Sequence, residues 1–317
     1  MVVSDPAELD VPALSDLAIS LFLPKTTEAT TLHILAMQTS YVSSDTGDST
    51  ADVKFPVAKT IRSWPFLTGV DVAASAHGAA IVAFGSSLTD GDGSTLDTNR
   101  RWPDVLAERL QKGADGMTEV GVLNQGIIGN RLLNDSPRRA RSPFGAALGQ
   151  AGLARFKRDV LAQAGVGYVI VGLGINDIVF PGSLTPLTER MNAESMISGY
   201  RQLIRRAHQK GIRVIGTTNH RSRTRSWSYQ KLRPRSPFIV RRKRSCAKRS
   251  TTGYAAAVNS MMSSISTWFC RTRATQRDCS LFTTAETICI PTMQVTSLRG
   301  MRFPLRCGRP LNQRQAG

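Results

Sequence analysis

The residues whose types and spacing could do chemistry stand at the ends of three short apolar runs. The first run leads into Gly85-Ser86-Ser87-Leu88-Thr89-Asp90-Gly91. The second leads into Asn124-Gln125-Gly126-Ile127-Ile128-Gly129-Asn130-Arg131, and the third into Gly172-Leu173-Gly174-Ile175-Asn176-Asp177. Taken one at a time, Gly, Asn and Asp at such places are ordinary turn residues. Taken together and in this order, they could serve an acyl transfer. That reaction needs a nucleophilic hydroxyl and donors aimed at the oxyanion that develops on the attacked carbonyl. A serine at the first end, a glycine N–H at the second and an asparagine side chain at the third would supply both.

The elements that must position these groups are legible in the apolar periodicity. "AAIVAF" (79–84), "VGVLNQG" (120–126), "GYVIVGLG" (167–174) and "IRVIGTT" (212–218) read as strands. "WPDVLAERLQ" (102–111), with Pro near its start, reads as a helix, with Val105, Leu106 and Leu110 on its apolar side. "GLARFKRDVLAQAG" (152–165) places Leu153, Phe156, Val160 and Leu161 on one helical face, and Met196, Ile197, Tyr200, Leu203, Ile204 and Ala207 trace another stripe. Strand and helix alternate, which predicts a parallel sheet covered by helices on both faces, a three-layer α/β/α sandwich. Ligands of such sheets bind beyond the carboxyl ends of the strands, where the loops of Ser87, Gly126 and Asn176 would gather.

Upstream of this, residues 11–71 read as β-rich. "LAISLFLP" (17–24) and "TTLHILAMQTSYV" (30–42) have strand-like content, a polar loop follows at 43–52, and "SWPFLTGVDV" brings another apolar segment. The N-terminus is acidic and lacks the layout of a secretory signal, and no apolar run approaches the roughly 18 residues of a membrane-spanning helix.

Composition changes abruptly near residue 218. The 317-residue chain has a net charge of +18, and residues 219–317 carry all of it, with 20 Lys and Arg against 2 acidic residues. All five cysteines, Cys246, Cys270, Cys279, Cys289 and Cys307, lie there too. Their spacing matches no zinc pattern, and an odd count does not suit a disulfide set. The sequence thus divides into a β-rich region (1–72), an α/β domain (73–218) and a basic, cysteine-containing tail (219–317).

The three strand-end motifs resemble those of the SGNH, or GDSL-type, hydrolases, a family of esterases and lipases. "AFGSSLTDG" is similar to the family's first block, Phe-Gly-Asp-Ser-Ile-Thr-Asp-Gly; "NQGIIGNR" is similar to the second, and "GINDI" to the third, Gly-x-Asn-Asp. The resemblance covers about residues 79–218. It implies a flavodoxin-like sandwich and hydrolysis of an ester: acyl, lipid or acetylated carbohydrate. It also implies Ser87 as nucleophile, an oxyanion hole from the Ser87 and Gly126 N–H groups and the Asn176 side chain, and no metal or cofactor. Ser86 departs from the pattern, standing where the family has Asp. Residues 11–71 are similar to an accessory region of some secreted members. The cellular location stays open, since no signal is present.

The family also places a base and its orienting acid in a C-terminal Asp-x-x-His block, and no histidine here has that context. His33, His77, His208 and His220 are the full set. His208 falls on the polar side of a predicted helix, His77 at the wrong end of the nucleophile strand, and His220, just after a strand end, is the weak remaining candidate. Without a base, a serine nucleophile loses several orders of magnitude in rate. One explanation is that residues from about 219 onward are translated in a shifted frame. Reading "TTAETICIPTMQVT" (283–296) one base earlier permits Asp-Ser-Gly-Asp-His-Leu-His-Pro-Asn-Asp-Ala-Gly-Tyr, which resembles the missing block. The same shift at 220–224 permits Pro-Phe-Glu-Asp, similar to the family's continuation. Two other classes stay open: a basic nucleic-acid-binding protein on a catalytically dead scaffold, and a carbohydrate-binding protein resting on residues 11–71. The hydrolase reading expects a small ester substrate, no specific nucleic acid and no membrane span.

Overall fold

Near-continuous apolar runs need cover on both faces, and the helices on either side of the central sheet provide it. The computed structural model describes residues 3–29, 32–44, 47–113, 119–137 and 145–217. The basic tail and His220 therefore lie outside the described residues.

In the N-terminal region, β1 (Leu32–His33), β2 (Ser40–Ser43), β3 (Val57–Ile61) and β4 (Trp64–Pro65) form two separate antiparallel ribbons, β1 with β4 and β2 with β3. The strand expected at 17–24 does not form, and Leu21, Phe22 and Leu23 are exposed. Strand propensity records packing on a pleated surface, and no neighbouring strand gives this segment a ladder. The segment 57–61, whose sequence carries no strong strand signal, pairs with 40–43.

The α/β part begins with β5 (Ala79–Gly85), followed by a four-residue helix α1 (Ser87–Asp90) and by α2 (Trp102–Gln111). Next come β6 (Val120–Gly126), α3 (Gly152–Phe156), which runs on as a wider π turn through Leu161, and β7 (Val166–Gly172). Then follow α4 (Ile175–Val179), α5 (Ala193–His208) and β8 (Arg213–Gly216). The strands form one parallel sheet in the order β6-β5-β7-β8. The predicted three-layer sandwich is therefore present, with strands and helices close to their expected positions.

Alternation along β5 decides which layer each side chain joins. Val82 and Phe84 enter the larger core with Phe156, Val160, Met196, Tyr200 and Leu203. Ile81 points the other way, to Ala107, Val120 and Val122, with Leu106 and Leu110 of α2 packed against them. Each such aliphatic or aromatic side chain contributes about 1.5–3 kcal/mol when fully buried.

Two further features bear on the site. Gly85 pairs with Gly126 on one side and with Gly172 on the other, so three glycines lie in a row at the carboxyl edge of the sheet. The N-terminal region packs directly against the segment that follows α1. Thr39 bonds Asp97 through its N–H (2.5 Å) and its hydroxyl (2.7 Å), Asn99 donates to Asp16 (2.6 Å), and Arg101 donates to the Ala36 carbonyl.

Candidate active site

The first strand-end loop is built by close approach of α1 to two glycines of the sheet edge. A β-carbon at Gly85 would stand 1.9 Å from the Thr89 hydroxyl, and one at Gly126 would stand 2.2 Å from the Asp90 nitrogen. Only glycine lets α1 sit down on the sheet edge in this way. Gly91, with φ of 107°, closes the turn by donating to the Ser87 carbonyl at 2.9 Å. The two serines then differ sharply. Ser86 is 1% exposed, and its hydroxyl has no hydrogen-bond partner among the described residues. Ser87, the first residue of α1, is partly open to solvent.

The second loop is tied to the first by side chains from both. Asn124 donates to the Thr89 carbonyl (2.8 Å) and accepts from the Gly126 N–H (2.9 Å). Ile127 N–H donates to the Gly85 carbonyl at 3.2 Å, and Ile128 N–H donates to Asp90 Oδ2 at 2.6 Å. The Gly126 N–H expected in an oxyanion hole is therefore engaged by Asn124. Gly129, in the left-handed region at φ +68°, keeps its N–H free of any acceptor among the described residues.

The third loop closes over the second. Asn176, 7% exposed, donates from Nδ2 to the Asn130 carbonyl at 2.9 Å. An amide nitrogen carries two hydrogens, so one remains for another acceptor. Asp177 accepts from Leu132 N–H (2.6 Å) and Leu133 N–H (3.0 Å). Burial pushes the Asp177 carboxyl up, and these two N–H groups with Arg131 pull it partly back. Tyr200 braces the loop from below, its hydroxyl donating to the Leu173 carbonyl at 2.7 Å. Burial raises its phenol well above the ordinary value.

Arg155 joins the loops from beneath, although nothing in its sequence context sets it apart from a surface arginine. Its guanidinium donates to the Gly85 carbonyl (3.0 Å), the Gln125 carbonyl (2.8 Å), Asn130 Oδ1 (3.0 Å) and Asp159 (3.0 Å). It also lies over the Phe84 ring, 4.1 Å from the centroid. Burial pulls its guanidinium down to about 10, with Asp159 opposing. An arginine on an amphipathic helix reads as solvated, and only its i,i+4 relation to Asp159 hinted at a partner.

Ser87, Gly126 and Asn176 thus stand on three adjacent, cross-bonded loops at one edge of the sheet. Among the described residues no group of three or more His, Cys, Asp or Glu side chains is placed to hold a metal ion, and no helix is long and apolar enough to cross a membrane.

The fold and these loops define a parallel three-layer α/β protein with a serine turn at the carboxyl edge of its sheet. Residues 83–269 match the GDSL-like lipase/acylhydrolase family, and the chain belongs to that family. The match continues past the compositional break at residue 218. Similar solved structures include a Desulfitobacterium hafniense protein assigned to the lipolytic G-D-S-L family, at 16% identity and a TM-score of 0.35, over 62% of this chain and 74% of that one. The inhibitor-bound aryl esterase of M. smegmatis is similar at 16% identity and a TM-score of 0.37, over 62% and 81% of the two chains. The native form of that esterase aligns at 21% identity and a TM-score of 0.33, over 44% of this chain and 64% of its own. No curated protein matches the sequence.

Proposed function

We propose that this chain carries the nucleophile half of a serine ester hydrolase. Ser87 Oγ attacks the ester carbonyl, and the carbonyl oxygen takes up the negative charge. The Ser87 N–H, the second Asn176 amide hydrogen and the Gly126 N–H are its donors. The Gly126 N–H must first be shared with Asn124, and the Gly129 N–H, unengaged among the described residues, is a further donor on the same loop. Collapse of the tetrahedral species would expel an alkoxide that takes a proton from water, the Ser87 proton having passed to solvent, and leave an acyl-serine for water to cleave.

The observation that carries this reading is the contrast at Ser86-Ser87. The buried hydroxyl faces the protein interior, and the accessible one opens a helix whose floor and flanking loops are locked in place. Family membership supports a small ester as substrate and leaves the acyl group unspecified.

Attack requires the Ser87 proton to leave, and no histidine in the chain has the Asp-x-x-His context. The proposal therefore includes impaired turnover. The frame-shift explanation rests on the charge and cysteine jump at 219 and on the permitted Asp-His string. A segment read out of frame carries no family pattern, so the match through 269 weighs against a shift already complete at 219. Hydrolysis of p-nitrophenyl acetate by the purified chain, with Ser87→Ala as control, tests the reading. Weak turnover that vanishes in Ser87→Ala is expected. Turnover indifferent to Ser87→Ala sinks the nucleophile assignment, and robust Ser87-dependent turnover refutes the impairment and brings His220 forward as base.

A further inference from the structure

Asp90 closes α1 three residues after Ser87, and it is 1% exposed. Both of its oxygens are used. Oδ2 accepts the Ile128 N–H of the second loop, and Oδ1 lies 2.6 Å from Nε2 of His33, 57 residues away in the N-terminal region. A carboxylate oxygen accepts, so Nε2 is the donor in this contact.

The imidazole is itself held. His33 sits on β1 opposite Trp64 of β4, whose ring meets it edge-on at 6.1 Å. Three residues on, the Ala36 carbonyl accepts from Arg101, whose charge also interacts with Asp90. The N-terminal region thus delivers one donor, from the short β1–β4 ribbon, to a buried carboxylate whose other oxygen holds the loop of Gly126 and Gly129.

We propose that His33 is a positioning residue: through Asp90 it clamps the second strand-end loop onto the nucleophile turn, so the N-terminal region is part of the site's framework. Calling that framework catalytic rests on the esterase reading above. Without His33, Oδ1 is left buried and unpaired, and Asp90 turns toward water, releasing Ile128 N–H.

The test compares the full chain with His33→Ala and with His33→Gln, whose amide nitrogen can take the place of Nε2. Amide hydrogen exchange is read at Ile128, with Val169 in the central strand as reference. In His33→Ala, exchange at Ile128 should rise about tenfold while Val169 is unchanged, and His33→Gln should restore protection. Unchanged exchange at Ile128 in His33→Ala overturns the proposal. If His33→Ala also loses protection at Val169, His33→Gln decides: wild-type protection at both sites, or loss confined to Ile128, supports the clamp, and loss at both sites together overturns it. Where the wild-type chain hydrolyses p-nitrophenyl acetate, His33→Ala should lower kcat with KM nearly constant, and an unchanged kcat removes the link to catalysis. A wild-type chain without Ser87-dependent turnover fails the esterase reading alone, because exchange at Ile128 still judges the clamp.

Discussion

Ser86 and Ser87 are neighbours in the chain and differ in the fold: the first is sealed beneath the turn, its hydroxyl without a partner among the described residues, and the second begins α1 partly open to solvent. A buried hydroxyl without a partner contributes nothing that a methyl group would not. Ser86→Ala should therefore leave stability within about 1 kcal/mol of wild type, or raise it, as read by urea unfolding. Ser87→Ala should be equally stable and lack serine-dependent hydrolysis. A loss of more than about 2 kcal/mol in Ser86→Ala would mean that its hydroxyl has a partner after all.

Gly126→Ala sets a β-carbon against the Asp90 backbone nitrogen, which cannot swing aside as a side chain would. The expected loss is about 1–3 kcal/mol. Gly167→Ala is the control, since its β-carbon would meet only the Ala79 side chain at 3.9 Å. Thermal unfolding of the two variants side by side checks this, and equal midpoints would contradict it.

Arg155→Lys keeps the charge but loses the planar fork that reaches Gly85, Gln125 and Asn130 together. Two carbonyls and a side-chain oxygen are left short of a donor, and the expected loss is about 3 kcal/mol in denaturant unfolding. A lysine variant as stable as wild type would show that the guanidinium is not the tie beneath the loops.

Asp104, at the start of α2, has its carboxyl pushed up to about 8 by burial, against the pull of Arg101 and the Val105 N–H. One of its oxygens is unpartnered among the described residues. In the unfolded chain this group titrates near 4, so between about pH 4 and 8 the folded state holds a proton that the unfolded state has released. Its contribution to stability is thus complete below pH 4 and is lost as pH rises through 8. Asp104→Asn should flatten this slope, giving a higher thermal midpoint than wild type at pH 8 and little difference at pH 4. Parallel pH–stability curves for the two proteins would refute the assignment.

A nucleotide sequence across codons 215–225 should reveal the base change if the tail is read out of frame. A stop codon within a few dozen codons of the upstream frame would exclude that origin. The tail and its cysteines would then belong to the protein as they stand.

Some of the site was legible because its information is local. Alternation of apolar runs and stripes gave β5 to β8, α2, α3 and α5, since each records which face of a strand or helix must be covered. The serine, glycine and asparagine at three strand ends were legible for the same reason, since turn chemistry is written in consecutive residues. The segment 17–24 misled, because strand propensity says nothing of whether a partner strand is present.

What the sequence determined by itself is therefore the parallel sandwich, the order of its elements and the three motif loops at one edge. What only tertiary structure decided is how those loops are locked and which serine faces out. Arg155 reaches Gly85 across 70 residues and His33 reaches Asp90 across 57. Contacts of that separation leave no period in the chain, because burial and pairing of a charged group depend on what the folded neighbours offer it. Ser86 and Ser87 are identical letters, and only their placement on the glycine floor beneath α1 leaves one hydroxyl buried and the other residue partly open to solvent.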